Sequence, residues 1–178
     1  MKVLILESNG NKRGSSNLLA GRFAEGAEEG GHEVTVFDVI HSDIRPCLGC
    51  GHCGMSGACV QKDDYEKVLK QLVKGCDVIA FAMPVYYYNW PAQLKVVVDR
   101  FYSFTHELTN MHKKAVLISV AWDNTDSAFE IVRAYYHKVC DYMQFDNRGE
   151  LYGKGCGTVS MTSGSAYPNL AYQMGKGL

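Results

Sequence analysis

The chain has 178 residues, of which 47% are hydrophobic, and 18 basic residues nearly balance 19 acidic ones for a net charge of −1. This length is enough for one sizeable hydrophobic core. The balanced charge excludes the strongly basic surface typical of proteins that bind nucleic acid or acidic membranes. The first apolar run ends at Glu7, too early for a signal peptide or a membrane span, so we expect a cytoplasmic protein.

Apolar or alternating segments predict five strands, at residues 2–7, 32–38, 76–83, 114–120 and 143–152. Helical patterns follow these strands and begin near residues 16, 63, 91, 126 and 166. This alternation predicts a doubly wound α/β fold, with a five-stranded parallel sheet in the order 2-1-3-4-5 and helices on both faces. We expect a single domain over residues 1–178, with a cysteine-rich loop insertion at about 46–60.

The loop after the first strand is rich in serine, asparagine and glycine, and a helix follows it. Such a loop at a helix N-terminus favours a phosphate, although serine and asparagine also cap helices without any ligand. The dinucleotide and P-loop glycine motifs are absent, which favours a mononucleotide. The candidate binding residues here are Ser8, Asn9, Arg13, Gly14, Ser15, Ser16 and Asn17.

Aromatic side chains crowd the end of the third strand, and a further loop ends the fourth. Clustered aromatic residues at a strand end suggest a flat ligand or an interface; alternatively, two of the tyrosines pack on the next helix. A phosphate loop beside an aromatic loop suits flavin mononucleotide (FMN), which has a phosphate tail and a planar head. The candidates in these loops are Pro84, Val85, Tyr86, Tyr87, Tyr88, Asn89, Ala121, Trp122 and Asp123.

These motifs resemble the flavodoxin-fold NAD(P)H-dependent FMN reductases, and especially the iron–sulfur flavoproteins among them. The resemblance rests on three segments, at residues 8–18, 84–87 and 93–100. It implies a flavodoxin-like fold in which the first segment binds the FMN phosphate and the second cradles the ring. The family usually has Ser-Pro-Arg where this chain has Ser8-Asn9-Gly10, and Arg13 is the residue that would replace the missing charge.

Four of the seven cysteines, Cys47, Cys50, Cys53 and Cys59, lie close together in sequence. Clustered cysteines in a chain that we expect to be cytoplasmic indicate a metal or redox site rather than a disulfide framework. Their spacing resembles the motif of iron–sulfur flavoproteins and favours one [4Fe–4S] cluster. Zinc, which usually takes two separated pairs of ligands, and unligated reactive thiols are the alternatives.

The sequence therefore predicts an FMN-dependent oxidoreductase that uses NAD(P)H. No catalytic side chain beyond the flavin is assigned, and the electron donor and acceptor are small molecules or redox proteins. The resemblance also implies a homodimer or homotetramer. One alternative is a flavodoxin-like electron carrier without a substrate pocket, although such carriers usually have a strongly acidic docking face. The other is a binding module without redox activity, which the fold alone does not exclude.

Overall fold

The structure is a computed structural model that describes residues 1–178. It contains five strands: β1 (Lys2–Glu7), β2 (Glu33–Asp38), β3 (Val78–Pro84), β4 (Lys114–Val120) and β5 (Asp146–Gly153). All neighbouring strands pair in parallel, in the order β2-β1-β3-β4-β5. The predicted fold and strand order are therefore confirmed.

The helices connect the strands or follow the last of them. They are α1 (Ser15–Glu29), α2 (Lys70–Gly75), α3 (Ala92–Arg100), α4 (Thr105–Thr109), α5 (Glu130–Met143), α6 (Val159–Ser163) and α7 (Tyr167–Lys176). A π-helical turn at Tyr65–Leu69 leads into α2, and 3₁₀ turns at Phe101–Phe104 and Asp126–Phe129 precede α4 and α5. No helix is long and apolar enough to cross a membrane.

The central strands β1, β3 and β4 are buried on both faces of the sheet, and successive side chains of a strand alternate between these faces. In β1, Val3 and Ile5 pack with residues of α1 and α7, such as Phe23. Leu4 and Leu6 pack in a larger cluster that includes residues of α2, α3, α4 and α5. Two hydrophobic layers thus hold the sheet rigidly between helices, and its carboxyl edge is left for loops.

Several boundaries differ from the predicted ones, among them two near the end of the chain. Helix α5 extends through Met143 and ends at Gln144, which has a left-handed φ of 56°. Strand β5 consequently begins at Asp146 rather than near residue 143. The segment between β5 and the helix predicted from residue 166 contains α6, which Thr158 caps by accepting a hydrogen bond from Met161 N at 3.2 Å. This segment returns the chain over the carboxyl edge of the sheet.

Candidate functional site

A cleft of about 430 Å³ opens at the carboxyl ends of β1, β3, β4 and β5. This is where ligands bind in open α/β sheets, outside the strand ends and near the point where the strand order reverses. All three predicted loops contribute to it. Its lining residues are Asn9, Asn11, Gly14, Ser15, Pro84, Val85, Tyr86, Val120, Ala121, Trp122, Cys156, Gly157, Thr158 and Val159.

The first loop is shaped by its asparagines. The Asn9 side chain donates from Nδ2 to Ser16 Oγ at 3.0 Å and accepts from Asn11 N at 3.0 Å. Gly14 N donates to Asn11 O at 2.8 Å, which closes the turn before the helix. A Cβ atom on Gly14 would overlap the Asn9 side-chain amide. Asn9 thus organises the loop, and the absent side chain of Gly14 lets the backbone turn tightly against it.

The N-terminus of α1 has free hydrogen-bond donors. Its first helical backbone bond runs from Leu18 N to Gly14 O at 3.0 Å, and no side chain caps the helix. The N–H groups of Ser15, Ser16 and Asn17 therefore lack intrahelical acceptors, as the first N–H groups of a helix do. The helix dipole adds partial positive charge at this end. Ser15 is buried and lines the cleft, so this helix terminus borders the cleft.

The other predicted residues of this loop lie outside the cleft lining. Ser8 is fully buried, and its hydroxyl donates to Ala82 O in β3 at 3.1 Å. Asn17 donates from Nδ2 to Glu7 Oε2 at 3.2 Å. Ser8 and Asn17 therefore tie the loop to the sheet in this structure. Arg13 is exposed and forms no ion pair, so its guanidinium is free to approach an anion from the solvent side.

The second loop is a tight turn that carries the three tyrosines. Tyr86 N donates to Asn89 O at 3.0 Å and Asn89 N to Tyr86 O at 3.1 Å. Tyr87 and Tyr88 have positive φ angles of 48° and 64°, which are unusual for bulky residues. Tyr86 lines the cleft, whereas Tyr87 is completely exposed and Tyr88 is more than half exposed. The turn therefore presents one ring to the cleft and leaves two outside it.

The third wall forms where the loop after β4 meets the loop after β5. Trp122 is 71% exposed, and a Cβ atom on Gly157 would overlap its indole ring. Asp123 does not line the cleft, and its Oδ1 accepts from Thr125 N at 2.8 Å. That backbone hydrogen bond, with others from Thr125 and Asn124, lowers the pKa of Asp123. Asp123 thus shapes the turn while Trp122 forms the wall.

Residues 156–159 line the cleft but were not predicted as site residues. Cys156 N donates to Ala121 O at 2.8 Å, which joins this segment to the loop after β4. The Cys156 thiol is buried, and burial raises its pKa. The same rule that selected the other loops could have selected this one, because it follows the carboxyl end of β5. The absence of aromatic or charged side chains in Cys156–Val159 made it inconspicuous.

The cysteine segment, defined as residues 46–61, lies apart from the cleft lining. Its four cysteines are free thiols, of which Cys47 and Cys50 are exposed and Cys53 and Cys59 are partly exposed. No three histidine, cysteine, aspartate or glutamate side chains anywhere in the chain form a group that could hold a metal ion. The segment in this conformation therefore does not fit a [4Fe–4S] cluster. Its geometry does not support the prediction that the four cysteines bind one cluster.

The ends of the cysteine segment are fixed by a buried ion pair. Arg100 in α3 donates to Asp63 Oδ2 at 2.6 Å and Oδ1 at 3.1 Å, and both side chains are buried. Arg100 also donates to Arg45 O at 2.8 Å. Gln61 Nε2 donates to Pro46 O at 2.8 Å, which joins the first and last residues of the cysteine segment. The two chain ends that flank the cysteines are thus held together and to α3.

The sequence matches the Flavodoxin_2 family, which is described as having a flavodoxin-like fold, over residues 1–165. It is 35% identical over 109 residues to an iron-sulfur flavoprotein of Archaeoglobus fulgidus, covering 61% of this chain and 49% of that protein. An iron-sulfur flavoprotein of Methanosarcina thermophila is 32% identical over 100 residues, covering 56% of this chain and 52% of that protein. The chain therefore spans about half the length of these curated relatives.

Among solved structures, the NAD(P)H:quinone oxidoreductase from Methanothermobacter marburgensis superimposes with a TM-score of 0.80. It is 21% identical, and the match covers 99% of this chain and 94% of that one. At this identity the likeness concerns the fold. The family match over residues 1–165 establishes that the chain belongs to the Flavodoxin_2 family, which has a flavodoxin-like fold.

Proposed function

We propose that this protein is an FMN-dependent oxidoreductase that takes electrons from NAD(P)H and passes them to a small molecule or a redox protein. The observation that carries the proposal is the cleft itself. A helix N-terminus with free N–H groups lies in the same cleft as exposed aromatic rings. FMN has the matching pair of features, an anionic phosphate and a planar ring system. The cleft volume of about 430 Å³ is within the range of small-molecule sites.

The phosphate end of the ligand fits the first loop. Backbone N–H groups at the start of α1 would donate to phosphate oxygens, with the Ser15 hydroxyl beside them. The Asn9 amide holds the loop in shape, and Gly14 permits close approach of the backbone. Arg13 would add an exposed positive charge. Hydrogen bonds to a charged acceptor are stronger than neutral ones, so this end of the cleft supplies much of the proposed affinity.

The ring end of the ligand fits the walls formed by the other loops. Pro84, Val85 and Ala121 supply apolar lining, called here the apolar floor, to the cleft that Tyr86 and Trp122 also line. The N–H groups of Trp122 and Gly157 have no acceptor within the chain and are available to the polar edge of the ring. These groups would orient the ring, and the apolar floor would exclude water from one face.

FMN, when bound, supplies the redox chemistry, because flavins accept hydride and release electrons. The task of the chain is binding and orientation. Tyr86 and Trp122 are about half exposed or more, so the side of the cleft between them stays accessible to a donor and an acceptor. No histidine, lysine, glutamate or aspartate lines the cleft.

The names of related proteins support this proposal. Two curated relatives are called iron-sulfur flavoproteins, and a protein of the same fold is called an NAD(P)H:quinone oxidoreductase. By analogy, a quinone-like molecule is a suitable acceptor to test first. A [4Fe–4S] cluster in the cysteine segment stays a separate prediction, since these sulfurs would have to come together to bind one.

The proposed assembly is a homodimer or homotetramer, as the family resemblance implies. Tyr87 and Tyr88 are exposed and would stabilise an interface with a partner subunit, because burying aromatic side chains lowers the free energy of the assembly. Light scattering on the purified protein gives the mass directly. A monomer at micromolar concentration would contradict this part of the proposal.

The experiment that tests the proposed function combines binding and turnover. Purified protein is reconstituted with FMN, and the oxidation of NADH and NADPH is followed in the presence of a simple quinone. We expect stoichiometric FMN and catalytic oxidation of at least one donor. FMN binding without any steady-state turnover would instead favour the electron-carrier alternative, and absence of FMN binding would overturn both redox proposals.

A further inference from the structure

A second hollow, of about 460 Å³, lies next to the cleft. The two spaces share Tyr86, which lines both. The hollow is formed by the turn after β3, the start of α3 and one side chain of α5. Its lining residues are Tyr86, Asn89, Trp90, Ala92, Gln93, Lys95 and Tyr135. Nothing in the proposed binding of FMN uses this space.

The aromatic walls of the hollow are fixed in place. Trp90 is only 5% exposed, and its Nε1 donates to Val132 O at 3.3 Å. The rings of Trp90 and Tyr135 meet edge to face, with centroids 5.0 Å apart. Burial raises the pKa of Tyr135 to about 12, so this ring is neutral at physiological pH. The hollow therefore offers neutral aromatic rings to a planar molecule, with the Lys95 ammonium 5.9 Å from the centroid of the Tyr135 ring.

The polar groups of the hollow are amides rather than free charges. The Gln93 side chain forms no hydrogen bond within the chain. The Asn89 side chain accepts from Trp90 N at 2.8 Å through Oδ1, which leaves its amide N–H groups free. Lys95 is the only charged residue in the lining, and it pairs with Asp99 at 2.5 Å. A flat ligand with hydrogen-bond donors and acceptors on its edge suits this set better than an anion.

We infer that this hollow binds the adenine of the NAD(P)H donor, an inference that rests on the proposed function. Asparagine and glutamine amides pair with the N6 and N7 edge of adenine, and aromatic side chains stack on bases. The donor must bring its nicotinamide to the flavin cleft, and the shared Tyr86 makes the hollow the adjoining space. Gln93 and Tyr135 are then specificity residues for the adenosine half of the donor.

The test compares NADH with reduced nicotinamide mononucleotide, which carries the same hydride but no adenosine. Gln93→Leu should raise KM for NADH by about fivefold to tenfold, because an edge hydrogen bond is lost. The KM for the mononucleotide should stay within about twofold, since that donor cannot reach the hollow. Gln93 is exposed on α3, so this variant should fold normally. Gln71→Leu, an exposed glutamine on α2, is the matched control and should change neither KM.

Tyr135→Leu is the second variant and removes the stacking surface. It should also raise KM for NADH alone, by about tenfold.

Unchanged KM for NADH in both variants, or equal changes with both donors, would overturn the inference while oxidation of the mononucleotide by the wild type upholds the proposed function. If the wild type oxidises neither donor, the proposed function fails. Calorimetric titration with ADP-ribose then tests separately whether the hollow binds adenine. Binding that Gln93→Leu weakens would uphold an adenine site, and absence of binding would overturn it.

Discussion

The cleft proposed to bind the flavin and the cysteine segment are both made of loops, but they are organised in different ways. The cleft lies where four strands end, and each of its loops is hydrogen-bonded to the sheet or to a neighbouring loop. The cysteine segment is held at its ends, and three of its glycines, Gly49, Gly51 and Gly54, have positive φ angles. The sheet therefore assembles one site in advance, whereas the other depends on the conformation of a single long loop.

This contrast has a physical cause. The carboxyl ends of parallel strands are fixed relative to one another by the ladder of backbone hydrogen bonds, so residues far apart in sequence meet there without any ligand. Ligands within a single loop have no such ladder. Sites of that kind commonly become ordered only when a metal binds, because metal binding is coupled to folding.

Removing the buried arginine at the base of the cysteine segment should have the largest effect. In Arg100→Leu, the Asp63 carboxylate stays buried without its partner, and breaking a buried pair in this way costs about 3–5 kcal/mol. We expect that loss in the free energy of unfolding, measured with urea. Arg148→Leu is the matched control, because it breaks the exposed pair with Asp146 and should cost less than about 1 kcal/mol. Equal losses in the free energy of unfolding of the two variants would contradict a stabilising role for the buried Arg100–Asp63 pair.

The buried ion pair between Arg100 and Asp63 should stop stabilising the fold in acid. Burial alone would raise the pKa of Asp63, but hydrogen bonds from Arg100 and Arg45 N and the guanidinium charge hold it below the ordinary value. The pair therefore stabilises the fold above the ordinary aspartate pKa of about 3.9 and loses this effect as the pH falls through the lowered value. Urea unfolding of wild type and Asp63→Asn should give free energies that converge as the pH falls below about 4. A difference that does not change with pH would refute this assignment.

A negative charge at the start of α1 should remove the cofactor and spare the fold. Ser15→Glu places a carboxylate where the FMN phosphate is proposed to bind, so repulsion should weaken FMN binding at least about 100-fold, or about 2.7 kcal/mol. Fluorescence titration of FMN measures this, and circular dichroism monitors folding. Gln173→Glu, on the exposed face of α7, adds the same charge away from the cleft and should leave the affinity unchanged. Undiminished affinity in Ser15→Glu would place the phosphate elsewhere.

Arg13 should contribute less than the helix terminus, because it is exposed. An exposed contact with a phosphate is worth about 1 kcal/mol by analogy with surface ion pairs. Arg13→Ala should therefore weaken FMN binding by about fivefold, and more at low salt than at high salt. A loss of about 100-fold would mean that the arginine becomes buried against the phosphate.

The smallest effect is expected at the tip of the cysteine segment. Cys50 is exposed and does not line the cleft. Cys50→Ser should change stability by less than about 0.5 kcal/mol and leave FMN affinity unchanged. Iron and sulfide analysis of anaerobically prepared wild type and Cys50→Ser sharpens the comparison. Iron bound by the wild type and lost in the variant would show that the segment rearranges into a cluster site. Zinc bound in place of iron would support the zinc alternative.

The fold could be predicted from the sequence because its signals are local and repeated. Strands β1, β3 and β4 are apolar runs, β2 alternates polar and apolar residues, and β5 is more polar. The alternation of strands with helices then restricts the topology. The cleft could be predicted in part for the same reason, since Asn9, Ser15, Tyr86 and Trp122 follow predicted strands. The role of Ser8 depends on a tertiary contact, because its hydroxyl donates to Ala82 O in β3. The role of Asp123 is local, since it accepts from a backbone N–H two residues further on. The conformation of the cysteine segment depends on its own loop geometry, which cysteine spacing does not specify.

The central claim is that one cleft binds a phosphate at the α1 N-terminus and a flavin ring against Tyr86 and Trp122. Titrating the apoprotein with FMN and with riboflavin, which lacks the phosphate, tests both halves in one measurement. We predict that both flavins bind, with FMN at least about 100-fold tighter, and that Ser15→Glu abolishes this preference without preventing riboflavin binding. Equal affinities for the two flavins in the wild type, or binding of neither, would contradict the claim.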